Sequence, residues 1–159
     1  MKKIIVAIIV LFTAQLTAQT HEIIKHNGEK FEVNYIKMEN NLVYYSLPNS
    51  MEEHKISRYA VAQLNEKDKS NSKIVSEKVN LSGNLDYRKV IVLKESETIG
   101  LTKSDTITLN HGVAKGETRW SLAQKGETRL KQNAAKKGHQ FIVITSNKRD
   151  NLKAVAYTY

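Results

Sequence analysis

Apolar and polar positions alternate along most of this chain, with the period of strands. In residues 29–38, Phe31, Val33 and Tyr35 fall on one side, with Lys37 continuing their phase, and Lys30, Glu32 and Asn34 fall on the other. A period of two marks a half-buried strand. Residues 21–25 form a shorter apolar piece with Ile23 and Ile24. His26-Asn27-Gly28 after it predicts a hairpin, because Asn-Gly suits the two positive φ angles of a type I′ turn. Glu39-Asn40-Asn41 and Pro48-Asn49-Ser50 predict further turns. Strands are expected at 42–47, 53–56 and 62–66, with a single helical turn at 57–61. Five short strands predict a small SH3-like or Sm-like β-barrel over 19–66, since closure removes exposed edges. Tyr35, Tyr44, Tyr45 and Tyr59 are expected in core or cross-strand packing. The alternative is an aromatic-lined groove for a small ligand.

Residues 67–72 contain no apolar side chain and predict a linker. The pattern then changes. Residues 74–81 alternate, Ser82-Gly83-Asn84 breaks them, and Val90-Ile91-Val92-Leu93 within 89–94 reads as a strand buried on both faces. Weaker strands are expected at 98–101 and 106–109. A helix is predicted over 117–137, where Trp120, Ala123, Leu130 and Ala134 recur on one face. Gly138 stands where a helix-ending Gly belongs, behind Lys136 and Lys137, whose charge suits the negative helix end. Gly126 leaves two alternatives: one helix through it, or a break with a restart at Glu127. Gly-Glu-Thr-Arg occurs twice, at 116–119 and 126–129, too short a repeat to define an architecture. Residues 140–145 form a buried strand, 147–152 a loop, and 153–159 a final strand with Val155, Tyr157 and Tyr159 on one face. The expected fold class is α+β: the barrel, then a domain over 73–159 with one helix packed on an antiparallel or mixed sheet.

The N-terminus changes the picture of where the chain works. Lys2 and Lys3 precede an apolar run at 4–12 and a small-residue stretch ending at Ala18. That order predicts a signal peptide over 1–18, with the mature chain starting at Gln19 in the periplasm, the cell envelope or the exterior. The run is shorter than the roughly 20 residues a spanning helix needs, and no later segment is apolar enough to span. The alternative is an uncleaved N-terminal anchor. The chain lacks Cys, which excludes disulfides, thiolate metal sites and cysteine nucleophiles.

Charge is unevenly placed. Residues 19–86 carry nine bases and ten acids, whereas 87–159 carry fourteen bases and six acids. A basic second half favours an anionic envelope component, such as headgroups, lipopolysaccharide or acidic glycans, or an acidic protein. Export makes nucleic acid a poor partner. On the predicted helix, Lys125, Arg129, Gln132 and Lys136 form a stripe opposite Trp120. The three cations are the candidate binding residues; an ordinary solvated helix face is the plainer expectation.

A resemblance covers residues 73–159. It rests on Asp86-Tyr87-Arg88-Lys89-Val90-Ile91-Val92-Leu93, Gly100-Leu101, the stretch at 130–145 from Leu130 through Ala134-Ala135-Lys136-Lys137-Gly138 to Thr145, and Ala154-Val155-Ala156-Tyr157. These resemble small exported proteins of Bacteroidetes with no assigned activity. They are also similar to small periplasmic α+β domains, one family named for heavy-metal binding and another of periplasmic stress proteins. The opening Ile24-Lys25-His26-Asn27-Gly28-Glu29 is similar to a common exported β-barrel pattern. The resemblance implies a fold and a location but no catalytic residue, and without Cys no thiolate site carries over.

Catalytic chemistry finds little support. His21, His26, His54, His111 and His139 form no His-x-x-x-His pair and have no flanking acidic cluster, so no protein metal site is expected. If cleavage follows Ala18, His21 becomes the third residue, and a free amine, two amides and an imidazole could bind Cu(II) in a plane. Ser104 and Ser121 lie in no Gly-x-Ser-x-Gly motif, and the seven glycines form no phosphate loop. The expected function is non-enzymatic, without cofactor: binding or structural duty in the envelope through the basic helix face. The alternative is a small-ligand carrier.

Overall fold

The computed structural model describes residues 20–67, 71–110, 118–148 and 151–159. The proposed signal segment and its cleavage site lie outside them, as does His111. Strands β1 (Thr20–Lys25), β2 (Lys30–Glu39), β3 (Leu42–Ser46), β4 (Glu53–Ser57), β5 (Val61–Glu66) and β6 (Asn71–Ile74) form one sheet in the order β4-β3-β2-β1-β5-β6. All its pairings are antiparallel. The strands expected at the start are present, with a 3-10 turn (Arg58–Ala60) before β5. The barrel expectation is corrected: the sheet is open, with β4 and β6 as its edges. Residues 71–74, expected partly as linker, extend it beyond β5 instead of leaving that side for closure.

The turns show how local chemistry sets register. Between β1 and β2 only Gly28 has positive φ, at +90°, and the Glu29 carbonyl accepts from Lys25 N at 2.9 Å. The Asn27-Gly28 turn is therefore the three-residue kind that ends in a left-handed Gly, not type I′. The paired positive φ angles occur at Asn40 and Asn41, which join β2 to β3. Asn tolerates that region better than other residues with a Cβ. The core of this sheet gathers Ile23, Val33, Val43, Ile56, Ala60, Val61, Leu64 and Val75.

The second sheet contains β7 (Ile91–Val92), β8 (Thr102–Leu109), β9 (Phe141–Lys148) and β10 (Asn151–Thr158), in the order β7-β9-β10-β8. Only β7–β9 is parallel. The fold is thus mixed α+β, mostly sheet, with two open sheets and, among the described residues, one α-helix, α1 (Arg119–Lys136). Residues 98–101 form part of a 3-10 segment and a turn rather than a strand.

Helix α1 does not break at Gly126. A Cβ there would meet Leu152 Cδ2 at 2.8 Å and collide with Asn147 Oδ1, so Gly is what lets β9 and β10 approach. Asn147 Nδ2 donates to the Ala123 carbonyl at 3.0 Å across this contact. The Thr118 hydroxyl caps the start by accepting from Ser121 N. At the end, His139 N donates to Ala134 O at 2.9 Å and Gly138 N to Ala135 O at 3.1 Å, with Gly138 at φ +77°. These are the bonds of a Schellman motif.

Leu130, Ala134 and Ala135 of α1 pack on Ile107, Ile142, Leu152, Ala154 and Ala156. The face of β10 that meets the helix is therefore its small-residue side, while Tyr157 and Tyr159 lie on the opposite face with Phe141. Alanines on both elements allow helix and sheet to meet closely. Trp120 is corrected: it is 71% exposed, beyond the end of the sheet-facing stripe.

The other face of the second sheet meets the first half. Phe141 is fully buried between Tyr59 and Tyr159, with ring centroids 5.8 and 5.2 Å away. Tyr159 Oη accepts from Val79 N at 2.8 Å, and its ring lies 4.6 Å from His26. Across the same join, Ser57 N donates to Ile99 O at 2.8 Å. Among the described residues, no helix is long and apolar enough to cross a membrane.

Candidate functional site

The side of α1 turned away from the sheet carries Lys125, Arg129, Gln132 and Lys136, all exposed. Steps of 4, 3 and 4 residues at 100° each keep them in one stripe. The structure divides the stripe. Arg129, Gln132 and Lys136 line a shallow, open depression of about 220 Å³ with Asn84, Leu109 and Asn133. Arg129 also lines a neighbouring depression of about 310 Å³ with Gln124, Lys125 and Thr128. Arg129 is thus common to both, and it steadies itself by donating from Nη1 to the Asn110 carbonyl at 3.2 Å.

Other helix lysines are spoken for differently. Lys131 pairs with Glu127 at 2.9 Å, and Lys137 with Asp105 at 2.6 Å. Lys137 and the Thr106 N–H hold the Asp105 carboxyl below its ordinary range. Lys136 forms no ion pair among the described residues, and it faces the depression instead. Sequence reading found the cations and Gln132 but missed Asn84, Leu109 and Asn133. Asn84 opens the 3-10 segment Asn84–Lys89, which reads along the chain only as a strand break. No sequence signal announces that it returns beside the helix.

The tyrosines of the first half do not share one groove. Tyr35 and Tyr45 are cross-strand partners; Tyr35 lies 5.5 Å from the His21 ring, and Tyr45 lies 5.6 Å from Phe31. Tyr44, the neighbour of Tyr45 in β3, points to the opposite face, under Lys37 Nζ at 5.1 Å. Tyr59 belongs to the join with Phe141.

Two histidine positions invite chemical scrutiny. His26 Nε2 lies 2.9 Å from Ser76 Oγ, and Ser76 Oγ donates to the Val61 carbonyl at 2.7 Å. The hydroxyl proton is committed to Val61, so Ser76 accepts from His26. A nucleophile activated by His needs the reverse, and the pair is a tie between segments. Burial, helped by Lys78, pushes the His26 imidazole below its ordinary value. His21 is buried in β1, with Nε2 4.0 Å from Glu66. Its backbone belongs to a strand paired on both sides, whereas a planar copper site would recruit its amide. Among the described residues, no three His, Asp or Glu side chains converge as metal ligands.

Fold and site together define a two-sheet α+β protein with a basic depression along helix α1. Comparison with protein-family models, curated proteins and solved structures returns no match.

Proposed function

We propose that this chain is a non-enzymatic protein of the cell envelope, exported through its 1–18 segment. It binds an anionic envelope component or acidic partner through Lys125, Arg129 and Lys136. The observation that carries this reading is the lining of the depression. Arg129 and Lys136 open onto it, and the remaining polar lining among the described residues, Asn84, Gln132 and Asn133, is uncharged. A cationic hollow without a carboxylate in its described lining attracts anions over a distance set by ionic strength. The non-enzymatic part is supported by the donation of the Ser76 hydroxyl to Val61.

The test is salt-dependent binding to immobilised heparin and to phosphatidylglycerol vesicles. Lys125→Glu, Arg129→Glu, Lys136→Glu is compared with a control of equal charge change, Lys55→Glu, Lys73→Glu, Lys103→Glu, at exposed positions elsewhere. The helix variant is expected to lose binding at least tenfold more than the control. Equal losses would reduce the stripe to a solvated face. Intact mass of the exported form is expected to place the first residue at Gln19, and a mass retaining residues 1–18 would overturn export by cleavage.

A further inference from the structure

We infer that the anion recognised along α1 is an extended acidic glycan in which charged and neutral sugars alternate, which rests on the basic-face reading above. Arg129 and Lys136 are seven residues apart on one face, a rise of about 10 Å along the helix. Between them stand neutral amides rather than further cations: Gln132 and Asn133 on the helix, with Asn84 across the hollow. A polyphosphate presents charge at every unit and would leave those amides facing phosphate. A glycan with one carboxylate per disaccharide sets its acids about two helical turns apart, with hydroxyls between.

Asn133 adds chemical direction. Its Oδ1 is buried without a hydrogen-bond partner among the described residues. A buried acceptor left unmatched is costly, and the donor it lacks must carry hydrogen. A ligand that reaches it must bring a donor, which a sugar hydroxyl has and an ionised phosphate diester lacks. Leu109 gives the floor an apolar piece on which the C–H face of a sugar ring can rest.

The shape disfavours a bilayer as the surface read by this site. The cations border a hollow instead of crowning a convex face. Trp120, the large exposed apolar residue of α1, lies nine residues from Arg129, half a turn around the helix. Leu85, the chain neighbour of Asn84, is 88% exposed. A single side chain gives less anchoring than the broad apolar face that interfacial helices use.

The experiment is calorimetric titration of the whole chain with hyaluronan oligosaccharides of two, four and six sugars, alongside inorganic tripolyphosphate and phosphatidylglycerol vesicles. Affinity is expected to rise at least tenfold from disaccharide to hexasaccharide. Arg129→Gln with Lys136→Gln should lower hexasaccharide binding at least tenfold. Asn84→Ala with Gln132→Ala should lower it severalfold while leaving vesicle binding unchanged. Thermal unfolding of each variant checks that the fold is kept. Vesicle or tripolyphosphate binding that exceeds hexasaccharide binding would overturn the glycan and leave the basic-face reading intact. So would oligosaccharide affinity independent of length. Binding to none of the probes would overturn both.

Discussion

Asn41 and Glu97 stand fifty-six residues apart and meet at 2.9 Å across the join of the two sheets. The Asn41 amide donates to one oxygen of the Glu97 carboxylate, and Lys94 N donates to the other at 2.8 Å. Glu97 is only 7% exposed. Burial pushes its carboxyl up, but these two hydrogen bonds and the Lys94 charge outweigh that and leave it below the ordinary range. A buried carboxylate thus fixes a left-handed turn of the first sheet to a 3-10 segment of the second half.

Glu97→Ala should therefore destabilise the protein by about 1–3 kcal/mol, because Asn41 and Lys94 lose their shared acceptor. Because Glu97 titrates lower folded than unfolded, its contribution is full above the ordinary carboxylate range. It is lost as pH falls through the lowered folded value. Urea unfolding between pH 6 and pH 3 should show a shallower acid decline in Glu97→Gln than in wild type. An identical decline would remove Glu97 from the account.

His26 and His139 act in the same direction for another reason. Burial lowers both below the ordinary 6.5, with Lys78 adding to the effect at His26. At His139 Asp105 opposes burial and Lys137 assists it. The unfolded chain then binds protons more readily, so stability is full above pH 6.5 and declines as pH falls through the lowered folded values. The paired variant His26→Gln, His139→Gln should flatten the stability profile between pH 7.5 and pH 5, read by chemical denaturation. A slope equal to wild type would refute the assignment.

Gly126→Ala tests the helix–sheet contact. Helix propensity alone favours Ala by about 1 kcal/mol. The methyl would meet Leu152 Cδ2 and Asn147 Oδ1, and overpacking costs about 1–3 kcal/mol. Net destabilisation is expected in thermal unfolding. A raised melting temperature would mean that β9 and β10 yield easily there.

Tyr159→Phe keeps the ring packed on Phe141 and His26 but removes the acceptor for Val79 N–H. A loss of about 1–3 kcal/mol is expected. Trp120→Ala, at an exposed position, should stay within about 0.5 kcal/mol of wild type. Equal effects of the two would invert the burial described here.

Local chemistry made much of the fold legible. The Asn and Gly turns located the hairpins, and Gly138 marked the helix end; the Thr118 cap was not read, and Gly126 left a continuous or a broken helix open. Long-range relations were illegible. Nothing in Asn71-Ser72-Lys73 foretells pairing with Asn65-Gln63 territory in β5, because those residues are polar and the ladder is made by backbone. The helix-facing side of β10 was not legible, because Ala154 and Ala156 are buried by admitting a helix, not by their own bulk. At the candidate site, cation spacing was readable from helical period. The hollow was not, since Asn84 and Leu109 come from distant segments.

Strand order also implies a sequence of events. Strands β1 to β4 join by successive short hairpins, each closing a small loop. The second sheet instead brings Leu109 to Leu152 and Ile91 to Phe141, with the whole helix lying between the partners in the chain. Loop-closure entropy must be met before such distant pairs reward it. The first sheet should therefore gain protection from hydrogen exchange early in refolding, and the basic hollow can exist only after the later sheet has given α1 a surface to rest on.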